Sequence, residues 1–128
     1  MGTPEFAVPS FKAVFQAEEI IAVVTQPDRP RGRGMILQPS PIKEEALKQS
    51  LPVYQSERIR QDAALIKTLS DLAPDVIVVV AFGQILPETV LNIPALGCIN
   101  VHASLLPHYR GAAPIQWALI RGEKETGV

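Results

Sequence analysis

Apolar and polar positions fall along the chain in blocks of two kinds. Ile20 to Thr25 and Asp75 to Ala81 carry nearly continuous Val/Ile runs bounded by polar residues or proline. Such runs predict parallel strands covered on both faces. Pro52 to Tyr54 predicts a short strand. Cys98 to His102 alternates with period two, which puts Cys98, Asn100 and His102 on one face and Ile99 and Val101 on the other. Between these runs the spacing changes to helical. Helices are expected over Pro41 to Gln49, over Asp62 to Ala73 with Leu65, Leu69 and Leu72 on one face, and over Pro114 to Arg121, where Gly122 can end the helix. Gly2-Thr3-Pro4 reads as a helix entry, with Thr3 as N-cap and Pro4 at the first helical position.

Helix and strand thus take turns, which predicts an α/β domain with an open, mostly parallel sheet and helices on both faces. A helix entry at residue 2 implies that the strand feeding it is missing. Thr126 to Val128 reads as the approach to a further strand. The expectation is one partial domain over residues 1–128, cut at both edges.

Composition narrows the function classes. The chain has 128 residues, 47% hydrophobic and 20% charged, with a formal net charge of -1. A domain of this size buries roughly two-thirds of its unfolded surface and needs no staple to fold. The longest apolar run, Val76 to Phe82, is far short of the ~20 residues of a membrane-spanning helix. A single cysteine, Cys98, and two histidines, His102 and His108, form no cluster at zinc spacing, so no metal is expected. A reducing, cytoplasmic setting fits, with an organelle matrix as the alternative and no membrane partner.

In an open parallel sheet the ligand crevice lies beyond the carboxyl ends of the strands. Three segments reach it. Asn100 and His102 sit near the end of one strand, and two readings stand: core polar residues satisfied by neighbouring backbone, or a polar pair aimed at a ligand. Phe82-Gly83-Gln84-Ile85-Leu86-Pro87 follows the most apolar strand, with a glycine that exposes backbone and apolar walls for a flat ligand. The long loop from Ala103 to Pro114 places Leu105 and Leu106 side by side in a turn with no periodic partner, so a ligand or neighbouring loop is expected to cover them.

Positive charge gathers elsewhere. Asp28 to Lys43 carries Arg29, Arg31, Arg33 and Lys43 against Asp28 alone, a net of +3, leaving -4 on the rest of the chain. Arginines interleaved with glycine and proline leave two readings: a solvated surface loop, or a flexible, extended arm able to donate hydrogen bonds to phosphates. Gly32-Arg33-Gly34 lacks the G-x-G-x-x-G spacing of a nucleotide fingerprint, and no Walker A motif is present.

Five separated segments resemble the methionyl-tRNA formyltransferases of the wider 10-formyltetrahydrofolate-dependent formyltransferase family. They are Gly2-Thr3-Pro4-Glu5-Phe6-Ala7; Thr25 to Pro30 with Gly32-Arg33-Gly34; Pro39-Ser40-Pro41; Phe82 to Pro87; and Gly97 to Pro107. Arg110 to Gln116 also resembles the tRNA-specific branch. The resemblance implies a Rossmann-like catalytic domain that moves a formyl group from 10-formyltetrahydrofolate to the α-amino group of methionyl initiator tRNA, in translation initiation. It implies Asn100 and His102 as donors to the formyl oxygen. Phe82, Gly83, Gln84, Ile85, Leu86 and Pro87 would hold the pteridine largely through backbone, and Ser104, Leu105, Leu106 and Pro107 would line the folate site. Arg29, Arg31, Arg33 and Lys43 would contact the tRNA, Arg33 most directly.

The family's catalytic aspartate and C-terminal tRNA-binding domain would lie beyond this chain, and a monomer is expected at full length. Met35 and Ile36 stand where members commonly carry two lysines, so this arm is less positive. Two further readings remain: a formyltransferase for a small amine such as an amino sugar nucleotide, and a non-catalytic, truncated folate- or RNA-binding fragment.

Overall fold

The Val/Ile runs pair as the period-two pattern requires. In the computed structural model, which describes residues 1–31 and 35–128, β1 (Val23–Thr25) runs parallel to β4 (Val53–Gln55), and β5 (Ile77–Val80) runs parallel to β6 (Cys98–Val101). Val23 stands opposite Val53, and Val79 opposite Asn100. The helices are α1 (Val8–Ala17), which precedes β1, and α2 (Pro41–Lys48), α3 (Ala63–Leu72), α4 (Glu88–Leu91) and α5 (Pro114–Ile120), which fall between or after these strands. The α/β class with helices on both faces is therefore as expected.

Two residues join the strand pairs. The Gly2 N–H donates to the Val24 carbonyl at 3.0 Å, the Val80 N–H donates to the Met1 carbonyl at 2.9 Å, and the Met1 amine donates to the Val78 carbonyl at 2.6 Å. Met1 and Gly2 thus lie between β1 and β5 and give the order β4, β1, residues 1–2, β5, β6. Only glycine fits there comfortably. A Cβ on residue 2 would stand 3.0 Å from the Val80 oxygen and 3.1 Å from the Ala7 Cβ. Toward the amino ends of β1 and β5 the two strands flank an apolar groove of about 710 Å³ that Ile20, Ala22, Val76 and Ile77 help to line.

Alternation splits the core into two layers. Val24, Tyr54, Ile77, Val79 and Cys98 face α3 and α4, where Leu65, Leu69 and Val90 pack with Ile59 and Phe82. Val23, Val53, Val78, Val80 and Val101 face α1 and α2, where Val8, Phe11, Ile42 and Ala46 close the other side. Each fully buried aliphatic side chain contributes about 1.5–3 kcal/mol. Asp62 caps α3, its Oδ1 accepting from the Leu65 N–H at 3.0 Å, and Ser40 caps α2 through the Lys43 N–H at 3.2 Å. Past α5, Gly122 takes a φ of 69° and ends the helix as the sequence predicts.

Three expectations are corrected. The first strand is shorter than Ile20 to Thr25, because Ile20 to Ala22 border the groove and have no ladder partner. Thr3 does not cap the first helix. Pro4 precedes a 3-10 turn, Glu5–Ala7, from which α1 continues, and the Thr3 hydroxyl instead donates to the Phe82 carbonyl at 3.0 Å. The basic segment is not simply an extended arm: β2 (Arg29–Arg31) and β3 (Ile36–Gln38) pair antiparallel, Arg29 opposite Gln38. Among the described residues no helix is long and apolar enough to cross a membrane.

Candidate active site

The carboxyl ends of β1, β4, β5 and β6 converge on one edge of the sheet, and their polar residues tie the following loops together. Past β6 the chain turns at once. Asn100 is exposed and His102 half-buried, so neither is sealed in the core, and the reading of a core pair satisfied by backbone does not hold. Cys98, on the Asn100 side of the strand, turns inward to the α3 and α4 layer, its Sγ 3.8 Å from the Leu91 carbonyl. Burial pushes its thiol up.

His102 is held by Ser104. Its Nδ1 lies 2.9 Å from the Ser104 Oγ, which in turn donates to the His108 carbonyl at 2.6 Å. Ser104 is 1% exposed, so its hydroxyl is spent within the chain. Leu105 and Leu106 are more than half exposed, while Gly127 comes so close to Leu105 that a Cβ there would stand 2.7 Å from Leu105 Cδ2. The expected cover over Leu105 is thus partly supplied by the chain's own residues near 127. The peptide between Leu106 and Pro107 is cis.

The loop after β5 is anchored at two points. The Phe82 carbonyl accepts from both Thr3 Oγ1 and Gln26 Nε2, each at 3.0 Å, while its ring is buried in the core. Gln84 bridges to the loop after β4: its Oε1 accepts from the Ile59 N–H at 2.8 Å and its Nε2 donates to the Ser56 carbonyl at 2.6 Å. Gly83 turns the chain with a φ of 81°, and any Cβ there would meet Gln26 Nε2 at 2.3 Å. Phe82 and Gln84 therefore present no free side chain. Ile85, 81% exposed, is the apolar surface this loop offers, and Leu86 packs against the core.

A third network closes the base of the hairpin. Lys43 Nζ lies 2.9 and 2.7 Å from the two Asp28 carboxylate oxygens and 3.0 Å from Gln55 Oε1. Gln55 Nε2 donates to Asp28 Oδ1 at 2.8 Å and to the Gln26 carbonyl at 3.0 Å. The Lys43 ammonium holds the Asp28 carboxyl below the usual carboxylate range. Beneath it, Thr25 Oγ1 and Ser40 Oγ share a buried hydrogen bond of 2.7 Å. Arg29 is exposed, one Nη donating to Gln26 Oε1 at 2.8 Å. Arg33 and the Arg31 side chain lie outside the described residues. Met35, Ile36 and Leu37 are largely exposed along the second arm of the hairpin.

The structure therefore brings Asn100, His102 and Ser104 to one strand end. It sets the 82–87 loop beside the ends of β1 and β4, and it spends Lys43 on Asp28. Sequence reasoning missed Gln26, Asp28, Gln55 and Ser56 as parts of the site's frame. A polar residue directly after an apolar strand, in a sheet whose ligand crevice lies at that edge, was the available signal.

Comparison with known proteins agrees with this architecture. The formyl transferase family matches residues 5–128. The methionyl-tRNA formyltransferase of Clostridium botulinum is 58% identical over 127 residues, covering 99% of this chain and 41% of the relative. That of Pelobacter propionicus is 60% identical over 129 residues, covering 100% of this chain and 40% of the relative. That of Thermosynechococcus vestitus is 60% identical over 129 residues, covering 99% and 39%. The chain thus spans about 40% of the length of these relatives.

Proposed function

The chain belongs to the formyl transferase family, and on that premise we propose that it forms part of a catalyst that moves a formyl group from 10-formyltetrahydrofolate to the α-amino group of methionyl initiator tRNA. One observation carries the reading most directly: Asn100 and His102 leave the end of β6 together, Asn100 exposed and His102 half-buried, in a strand whose Cys98 and Val101 pack on the core. Burying an amide and an imidazole unpaired would cost about 1–3 kcal/mol for each group, whereas at an open strand end both stay hydrated and available to a ligand's polar atoms.

Acyl transfer to an amine needs donors preorganised at the carbonyl oxygen, where negative charge grows as the amine attacks. The Asn100 amide can give one such donor, and the His102 imidazole can exchange a proton there. A folate would supply the formyl carbon when bound. The residues present suit a flat, partly apolar ligand. Ile85 and Leu106 stand exposed, and Gly83, Leu105 and Pro107 lie in the loops that bear them. Arg29, with Arg31 and Arg33 beside it in sequence, would meet the phosphates of the RNA, while Lys43 acts on the hairpin's base. The reading includes a monomer at full length, working in the cytoplasm or in an organelle matrix.

Formyl transfer from 10-formyltetrahydrofolate, assayed with the full-length protein on methionyl initiator tRNA and on a small amino sugar nucleotide, tests the proposal. Transfer to the tRNA that falls steeply with ionic strength is the expected result. Salt-independent transfer to the small amine alone would replace the acceptor, and transfer to neither would remove the activity.

A further inference from the structure

Resting on the formyl-transfer reading above, we propose that Ser104 is a positioning residue that fixes the His102 imidazole with its proton on Nδ1 and so leaves Nε2 to meet the reacting atoms. Counting protons sets the direction of each bond. Ser104 Oγ carries a single hydrogen. The His108 carbonyl oxygen, 2.6 Å away, can only accept, so that hydrogen is committed there. Toward His102 Nδ1, at 2.9 Å, the same oxygen can then only accept, and Nδ1 must bear the hydrogen. Ser104 itself is 1% exposed, so its hydroxyl has these two partners within the chain.

The turn around Ser104 is built to keep that geometry. The Ser104 N–H donates to the His102 carbonyl at 2.8 Å, which fixes residue 104 against residue 102 through backbone as well as side chain. The His108 N–H donates to the Leu105 carbonyl at 3.1 Å, which places the acceptor for the Ser104 hydroxyl. Among the described residues no hydrogen-bond partner reaches His102 Nε2.

The consequence is chemical. A neutral imidazole with hydrogen on Nδ1 has its lone pair on Nε2, and which nitrogen is protonated follows from the bond that the other one makes. Neutral His102 is then an acceptor toward the reacting atoms. Nε2 takes the proton shed by the amine as its N–C bond to the formyl carbon forms. The resulting imidazolium donates to the carbonyl oxygen and returns the proton to the nitrogen that departs as the old C–N bond breaks, so no proton is gained or lost. Ser104 leaves the folate lining under this inference and acts through His102.

The tautomer can be read directly. Long-range 1H–15N correlation spectra of the 15N-labelled full-length protein, recorded with the imidazole neutral, are expected to show a protonated Nδ1 and an unprotonated Nε2 at His102. Protonation at Nε2 in that wild-type spectrum overturns the inference, without any variant having to fold. Ser104→Ala is expected to mix the two tautomers and Ser104→Thr to restore the single one. In the full-length protein Ser104→Ala is expected to lower kcat for transfer to methionyl-tRNA about tenfold or more, with KM for the folate within twofold and most of the loss regained by Ser104→Thr. A raised folate KM at unchanged kcat would place Ser104 in the folate site and overturn its positioning role. Absence of transfer by the wild-type protein would overturn the formyl-transfer reading, while the spectra alone would still decide the hydrogen bond.

Discussion

Lys43 and Asp28 form an ion pair across the base of the β2–β3 hairpin, with Nζ 2.7 Å from Oδ2 and 2.9 Å from Oδ1. Both side chains are partly shielded, and Gln55 bonds to each of them. The only lysine of the basic segment is therefore spent on holding that segment to the start of α2.

Breaking the pair is expected to cost stability in a coupled way. In a double-mutant cycle of Asp28→Asn and Lys43→Met, followed by denaturant unfolding, the coupling should be about 0.5–1 kcal/mol, the upper part of the range for partly exposed pairs. The pH dependence has a definite sign. Lys43 lowers the folded pKa of Asp28 below its ordinary 3.8, so the contribution is complete above that value and is lost as pH falls through the folded pKa. An NMR titration in which the Asp28 carboxyl protonates at or above the ordinary value would contradict this.

The same pair bears on RNA binding. Arg29 is exposed and keeps guanidinium donors beyond the one given to Gln26, whereas Lys43 is engaged on three sides. For the full-length protein, Arg29→Ala is expected to reduce the slope of log K against log salt for methionyl-tRNA by about one unit. Lys43→Met should reduce it by less than about half as much. Equal slopes for the two variants would mean that Lys43 leaves Asp28 for a phosphate on binding.

Gln84 shows how a loop that reads as a ligand contact also serves as a clamp. Gln84→Ala would leave the Ile59 N–H and the Ser56 carbonyl without their partner, at a cost of about 1–3 kcal/mol for each group that water does not reach. Thermal and denaturant unfolding should register the loss even where folate binding is unchanged. A variant as stable as the wild type, with weakened folate binding alone, would return Gln84 to the ligand site.

The Val/Ile strands were legible because burial on both faces writes continuous apolar runs into the sequence. Val23 and Val24 face opposite layers, as do Val78 and Val79, and such continuous runs carry that information locally. The partners of polar side chains were not legible. Thr3 has the residue type and position of an N-cap, yet its hydroxyl goes to Phe82, 79 residues along the chain. Gln84 and Ser56 meet across 28 residues, and Lys43 and Asp28 across 15. These bonds depend on which loops the sheet order brings together, and a chain read one window at a time does not contain that order. His102 and Ser104 stand two residues apart, but the direction of their bond turns on the His108 carbonyl, which only the folded turn supplies.

Asn100 and His102 should separate catalysis from stability. Asn100 is exposed, and His102 gives the fold one hydrogen bond through Nδ1. Asn100→Ala is expected to change unfolding free energy by no more than about 0.5 kcal/mol, as for a surface substitution. His102→Ala should cost about 0.5–1.5 kcal/mol, the net worth of one hydrogen bond. In the full-length protein each should lower kcat for formyl transfer by about 100-fold or more, because a donor aimed at developing charge contributes mainly in the transition state. Such a contribution lowers kcat and kcat/KM together and leaves KM for both substrates nearly unchanged. If Asn100→Ala instead raised KM for the folate with kcat intact, the amide would serve binding alike in ground and transition states. Charge stabilisation at the formyl oxygen would then rest on groups other than the β6 pair.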